Sequence, residues 1–429
     1  MSRRREVVIT GMGMISSLGT GLDSHWQHLV KKTTGISKVT QGRVATPLQY
    51  AGRVEVSGLP PDAPDALLKQ ERLMSPSSLL GLWAVDEAVR QSGLDLLQIR
   101  PGRKALYIGA GDYTKVGYHD YYPAVQDARL EDGKTIDYEL LNRATLHKVN
   151  PFVLLEWLTN NLVAFVSLRY KVQGPNTILA SHSPCGGQAL ELAIRSLVRG
   201  DADVAIVVGA CCWVTPIPLF EMDTLGLLSQ CRDGARSFRP FDRRRDGFIA
   251  GEGAAALVLE TSDLARGRDA TILGTILGFG DFTEVSRVGG LGLPMEACEQ
   301  AMAMALKEAD CLPKDLSFIC PHGNGTRKGD RSELTAITRL LGSDRASVVV
   351  CGLKPYTGHM GAASDIAEIA LGLTALKNGL IPATLNFEKA EGGFEELQVV
   401  GDHRQVTGTR FLSLSQGFGG QSLAVVVSL

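Results

Sequence analysis

Short apolar runs, each closed by glycine or a small polar turn, recur along the whole chain. They fall at 6–10, 177–180, 203–208, 253–260, 316–320, 348–351 and 411–414. A run this short, rich in Val and Ile and bounded by turn residues, predicts a buried strand. A Gly-rich stretch at 271–280 and a glycine loop running into 417–427 predict two more. Between these runs the apolar positions shift to helical spacing. Leu79, Leu82, Val85 and Val89 follow Ser75-Pro76, a cap with proline at the first helical position, and Gly93 ends the pattern. Leu190, Ile194 and Leu197 repeat it before Gly200, and 295–309 carries a third helix. Strands alternating with helices predict an α/β protein with a largely buried sheet. Residues 35–70 read as irregular surface structure, and the polar, Tyr-rich 112–150 as an excursion from the core.

Composition narrows the class. With 429 residues, 44% of them hydrophobic, and 48 glycines, the chain suits two or three domain-sized units or one large duplicated α/β fold. The texture restarts near residue 262, and two comparable halves, 1–262 and 263–429, suggest an internal duplication. A net charge of -2 gives no field for nucleic acid or an anionic membrane. The eight cysteines show no paired metal spacing, and several lie in apolar runs, which fits reduced core thiols in a cytoplasmic protein. Arg3-Arg4-Arg5 before an apolar run faintly imitates a signal peptide, but Gly11 and Gly13 break the run and no cleavage site follows. No run approaches the roughly 18 apolar residues of a membrane helix. Gly11-Met12-Gly13 lacks the third glycine and the distant acidic residue of a dinucleotide site, so nucleotide binding is not expected.

Four loops carry candidate chemistry. Gly174 to Gln188 reads as strand, tight elbow and helix, with Ser181-His182-Ser183-Pro184-Cys185 at the bend. Free N–H groups at a helix start favour developing negative charge, which suits a nucleophile; a small-residue packing turn explains the stretch equally well. The other loops are Pro321-His322-Gly323-Asn324-Gly325-Thr326, Lys354-Pro355-Tyr356-Thr357-Gly358-His359 and Gly417-Phe418-Gly419-Gly420. Either histidine alone reads best as a satisfied buried imidazole. Two, each on a glycine-flanked loop after a buried strand, point to one crevice at the carboxyl ends of the strands. No metal spacing accompanies them.

These motifs, with VVITGMGMISSLG at the start and FRPFDRRRDGFIAGEGAAALVLE in the middle, resemble in order those of the elongating β-ketoacyl-acyl-carrier-protein synthases of fatty acid and polyketide synthesis. The resemblance spans essentially the whole chain. It implies a thiolase-type five-layer αβαβα fold built from two fused halves, usually a dimer. It also implies an acyl carrier protein as partner, with substrate on its phosphopantetheine and no separate cofactor. Carried over, His322 and His359 form the active-site pair, Lys354 supports the second loop and Phe418 lies in a gating loop. The family's elbow has cysteine nine residues after the glycine of Gly-Pro; counted from Gly174, that position is Ser183. Cys185 lies two residues further, on the first helical turn, and is expected to point elsewhere. Asn324 replaces the first threonine of the family's His-Gly-Thr-Gly-Thr loop, and Gln416 replaces an aromatic.

Serine needs activation by a base where cysteine does not, so Ser183 suits acyl capture poorly. Decarboxylation of a malonyl thioester needs no nucleophile. It needs donors for the thioester oxygen, each worth about 2.7–4 kcal/mol. The residues therefore fit a decarboxylase turning malonyl- into acetyl-carrier protein, similar to the serine-for-cysteine enzymes of polyketide β-branching cassettes. His322 and His359 would stabilise the enolate, and Ser183, Asn324 and Gln416 would orient the malonyl group. Phosphopantetheine would enter past Thr326 and Phe418. The rivals are a Ser183-dependent acyltransferase, a non-elongating chain-length partner subunit, and a condensing enzyme using Cys185. Asp330 and Glu333 are expected to brace their loop, and Arg243-Arg244-Arg245 to form a solvated face or meet an acidic carrier. His182, beside Ser183 on a strand, would face the opposite way from it.

Overall fold

A computed structural model of the chain describes residues 5–39, 49–110, 118–156, 158, 160–181, 184–285 and 295–429. The first apolar run opens β1 (Val7–Ser16), which continues past Thr10 through both glycines. The reason is a helix, α1 (Pro76–Ser92), lying against it. Ser75 caps that helix by accepting the Ser78 N–H, and Gly93 closes it in the left-handed region. A Cβ on Gly11 or Gly13 would come within 2.0 Å of the carbonyl oxygens of Ala88 and Ala84. The Gly-x-Gly pair thus answers a packing need, in place of a phosphate.

The first half continues through β2 (Lys104–Ala110), β3 (Asn176–Ala180), α2 (Cys185–Arg199), β4 (Val204–Cys212) and β5 (Glu252–Thr261). The second comprises β6 (Gly274–Thr283), α3 (Met295–Glu308), β7 (Phe318–Cys320), α4 (Arg327–Leu341) and β8 (Val349–Val350), then α5 (Ala362–Lys377), β9 (Arg410–Gln416) and β10 (Gln421–Ser428). The strand order is β3-β2-β4-β5-β1 in the first half and β8-β7-β9-β10-β6 in the second, where Gln398–Val399 adds a short parallel strand outside β8. Numbered within its own half, each set reads third, second, fourth, fifth, first. In both, the first three strands of that order are parallel and the last two pair antiparallel. Val7–Ile9 pair antiparallel with Gly274–Ile276 and join the halves. The glycine device repeats too: a Cβ on Gly278 or Gly280 of β6 would meet the Ala305 and Ala301 carbonyls of α3 at 2.2 and 2.0 Å.

Helix α1 covers the outer face of one half-sheet and α3 with α4 the other, while α2 and α5 pack against each other between them. This is the five-layer thiolase-type arrangement. Helix α5 touches strands of both halves, and every residue from Ala362 to Leu376 is buried. A helix with no exposed face is stable only in such a sandwiched position, and its carboxyl groups, Asp365 and Glu368, must find partners inside.

Three differences from the sequence reading have physical causes. The 35–70 region contains a small hairpin, Ile36–Lys38 with Tyr50–Gly52, and a short helix at Asp65–Leu68; residues 40–48 lie outside the described residues. The 112–150 excursion is helical at Tyr118–Asp127 and Tyr138–Lys148, while residues 112–117 lie outside the described residues. The second of these helices buries none of its residues, so it shows no apolar stripe, and only the Asp137 cap marks its start. Helix α2 begins at Cys185, before the apolar spacing does, because its first turn is made of small residues. Among the described residues no helix is long and apolar enough to cross a membrane.

The packing glycines make a test. Gly13→Ala and Gly280→Ala should each lower stability in chemical unfolding by about 1–3 kcal/mol, the cost of overpacking. Gly102→Ala, whose Cβ would meet nothing within 4 Å, should stay within about 0.5 kcal/mol of the parent. Equal effects at all three positions would contradict this packing.

Candidate active site

Strands β7, β8 and β9 are parallel and in register, with Phe318 opposite both Val349 and Phe411. The chain therefore leaves all three at the same end, carrying His322, Lys354 and Gln416. The His322 loop is strapped to α4. Glu333 accepts the N–H groups of His322 (2.5 Å) and Gly323 (2.9 Å). Asp330 accepts those of Gly325 (2.9 Å) and Phe241 (2.7 Å) and faces Arg245 at 3.2 Å. Burial pushes both carboxyls up, Asp330 to about 6 and Glu333 to about 8, against the opposing pull of these partners. Both acidic residues brace the loop. Arg245 is itself buried and also pairs with Glu391 at 2.6 Å. The arginine run is thus not one solvated face: its third member is an internal strut. Asn324 Oδ1 accepts the Thr326 N–H (2.9 Å) and hydroxyl (2.8 Å), and the same hydroxyl caps α4 by accepting the Gly329 N–H. Both side chains are partly spent on turning the loop into the helix.

Lys354 donates to Glu368 of α5 at 2.7 Å, with both side chains almost completely buried. Burial raises the Glu368 carboxyl to about 7, with Lys354 pulling it down. The His359 backbone is pinned on both sides: its N–H donates to the Ile249 carbonyl (2.8 Å) and its carbonyl accepts from Gly251 (2.9 Å). The Gly361 N–H donates to His359 Nδ1 at 3.1 Å. Nδ1 is thereby the acceptor nitrogen, and the neutral ring carries its proton on Nε2. Gly361 has φ +51°, and a Cβ there would strike the Trp213 indole at 2.8 Å.

The two imidazoles meet edge to face, centroids 5.1 Å apart and planes at 71°. Trp213 and Phe248 flank His359 at 4.8 and 5.0 Å. Burial, reinforced by Lys354, holds both histidines well below the ordinary imidazole range, and His359 adds to the effect on His322. They are neutral donors at neutral pH. His322 Nδ1 and Gln416 Nε2 are buried without a hydrogen-bond partner among the described residues. A buried polar atom in that condition commonly awaits a ligand or water. Phe418 sits half-exposed just beyond Gln416.

At the elbow, Ser183 and His182 lie outside the described residues. Their flanks are placed. A Cβ on Gly186 would come 2.2 Å from the Ala362 carbonyl, and the Gly187 N–H donates to Asp365 at 3.2 Å. The start of α2 therefore abuts the start of α5, which follows His359 closely in the chain. Cys185 is wholly buried, its sulfur 3.4 Å from the Ser181 carbonyl and 3.8 Å from that of Ala110. Trp213 and Phe248 were not singled out from sequence, because a core aromatic and a site-lining one look alike there. Among the described residues no group of three or more His, Cys, Asp or Glu could hold a metal ion.

The layered duplicated sheet with its paired histidine loops defines a thiolase-type α/β protein. Comparison with known sequences makes this specific: the chain belongs to the beta-ketoacyl synthase family, its residues 4–265 matching the N-terminal domain and 273–388 the C-terminal domain. It is 28% identical to the 3-oxoacyl-(acyl-carrier-protein) synthase 2 proteins of Coxiella burnetii and of Vibrio harveyi, in each case over 99% of both chains. In fold it is similar to a beta-ketoacyl synthase from Burkholderia phymatum (TM-score 0.86, 23% identity, 99% of both chains). The ishigamide ketosynthase/chain length factor matches at TM-score 0.82 and 24% identity, over 99% of both chains.

The buried pair under the second loop is testable. Lys354→Ala strands a buried carboxyl and should cost about 3–5 kcal/mol in unfolding experiments, the usual effect of breaking a buried pair. Replacing both partners, Lys354→Met with Glu368→Leu, should recover most of that loss. A single-mutant loss below about 1 kcal/mol would show the pair to be dispensable.

Proposed function

We propose that this ketosynthase-family protein is a decarboxylase that converts malonyl-acyl-carrier protein to acetyl-acyl-carrier protein, in the β-branching branch of polyketide synthesis. The observation that carries the reading is the intact, neutral, buried imidazole pair in a chain whose sequence has Ser183 at the family's cysteine position. In the reaction the bond between the malonyl carboxylate and its α-carbon breaks. Carbon dioxide leaves, and the electron pair enters the thioester as an enolate that then takes a proton. His359 donates from Nε2 to the thioester oxygen, and His322 stands close enough to share it. The unpartnered Gln416 amide is suited to hold the malonyl carboxylate out of the thioester plane, with Ser183 assisting. Nothing in this sequence of steps requires a covalent acyl-enzyme.

The rivals fare less well. A buried Cys185 facing two backbone carbonyls is poorly suited to capture an acyl chain. An acyltransferase would use Ser183 as nucleophile with a histidine as base, and a stable acyl-Ser183 adduct would favour it. A non-catalytic chain-length subunit would have no use for the pair. We also infer a homodimer. Among the described residues strand β3 pairs on one side only and is partly exposed along its length. The occupant of that edge is expected to be a second copy. Substrate arrives on the phosphopantetheine of an acyl carrier protein, past Thr326 and Phe418.

Incubating purified protein with malonyl-loaded carrier protein and following the carrier mass tests the reading. Loss of carbon dioxide is expected; an unchanged malonyl carrier would refute it. His322→Ala and His359→Ala should each slow the conversion by about 10²–10³, the usual worth of one oxyanion donor.

The pH profile is a second test. Both histidines have lowered values, so the neutral form persists below 6.5 and is lost only as pH falls through their folded values. Protonating His359 at Nδ1 would also set two N–H groups against each other. The histidine contribution to the acid limb of kcat/KM should therefore lie clearly below pH 6.5, apart from any break that the loop-bracing Glu368 and Glu333 make near 7 and 8. Imidazole NMR resonances of His322 and His359 that titrate at or above 6.5 would show that the rings behave as if exposed.

A further inference from the structure

Strands β2 and β3 finish level at Ala110 and Ala180, opposite Ala210 of β4, which runs on to Cys212. The residues along that ledge are small. A Cβ on Gly209 would come 2.4 Å from the Ala362 carbonyl, so the ledge lies directly under the start of α5. Three residues past Ala210 the pattern ends abruptly in Trp213, which is completely buried and among the largest fully buried side chains of the protein. Its indole stands 4.8 Å from the His359 ring and 6.1 Å from Phe248. With His322 at 5.1 Å, three rings surround His359.

A thioester held by these imidazoles must extend its acyl part away from them. Protein interiors are close-packed, so a long chain needs an empty channel beginning at the histidines. On the β4 side that space is filled by the indole. We propose that Trp213 is a specificity-determining residue that leaves room at the histidine pair for a malonyl or acetyl group and excludes longer acyl chains. The proposal rests on the decarboxylase reading for the identity of the small substrate. The size limit itself is a matter of shape and can be measured without turnover.

The test is ligand-induced thermal stabilisation of the wild-type protein, Trp213→Ala and Trp213→Phe, with acetyl-pantetheine and octanoyl-pantetheine as probes. Ligand binding to the native state raises the midpoint according to its concentration relative to Kd. The wild type should respond to acetyl-pantetheine and bind octanoyl-pantetheine at least tenfold more weakly. Trp213→Ala should reverse that preference, and Trp213→Phe should fall between. Octanoyl-pantetheine binding the wild type as tightly as the acetyl probe would overturn the proposal, and this arm needs no variant. Folded variants that gain no octanoyl binding would overturn it as well. If malonyl carrier is not decarboxylated yet octanoyl binding follows the size of residue 213, the decarboxylase reading fails and the size limit stands. If decarboxylation proceeds and the wild type accepts the octanoyl probe, the reverse holds.

Discussion

Two imidazoles kept uncharged inside the protein are what the rest of the site depends on. An isolated histidine in water is partly protonated near neutrality, whereas a buried one pays heavily to take up charge. Here the rings lie 5.1 Å apart, both completely enclosed, with the Lys354 ammonium nearby as a further deterrent to protonation. That arrangement would be unstable on free loops. It persists because Glu333 and Asp330 hold one loop by its N–H groups, and because β5 flanking residues and the Gly361 amide hold the other. The Lys354–Glu368 pair ties the second loop to the most deeply buried helix of the molecule.

The fold supplies the setting by repeating one plan. Each half begins with a strand whose two glycines admit a helix, and each ends with an antiparallel pair. Joining the halves through β1 and β6 brings the carboxyl ends of their parallel strands to one central region. The elbow comes from one half and both histidine loops from the other. The close approach of α2 and α5 at Gly186 is the contact that registers them.

Much of this was legible in the sequence. His322 and His359 stood out only as a pair, each on a glycine-flanked loop after a buried strand; either alone reads as a buried structural imidazole. Ser183 was found by counting from Gly174, a register that resemblance to a family provides and periodicity does not. Glu368 was legible in principle, since a carboxylate among Ile366, Ile369 and Leu371 demands a partner, but its partner fourteen residues earlier was not. The surface helix at Tyr138–Lys148 left no apolar stripe to read. Trp213 and Phe248 were invisible as site residues, because position relative to His359 is a tertiary property.

The central claim is that oxygen in place of sulfur at residue 183 separates carbon dioxide loss from chain growth within one otherwise competent pocket. Comparing the products of the wild type and Ser183→Cys, each given malonyl- and acetyl-loaded carrier protein together, addresses that most directly. The wild type should yield only acetyl carrier and remain unmodified, while the cysteine variant should carry an acyl group and form some acetoacetyl carrier. Acetoacetyl carrier, or a stable acyl adduct, from the wild type itself would contradict the claim.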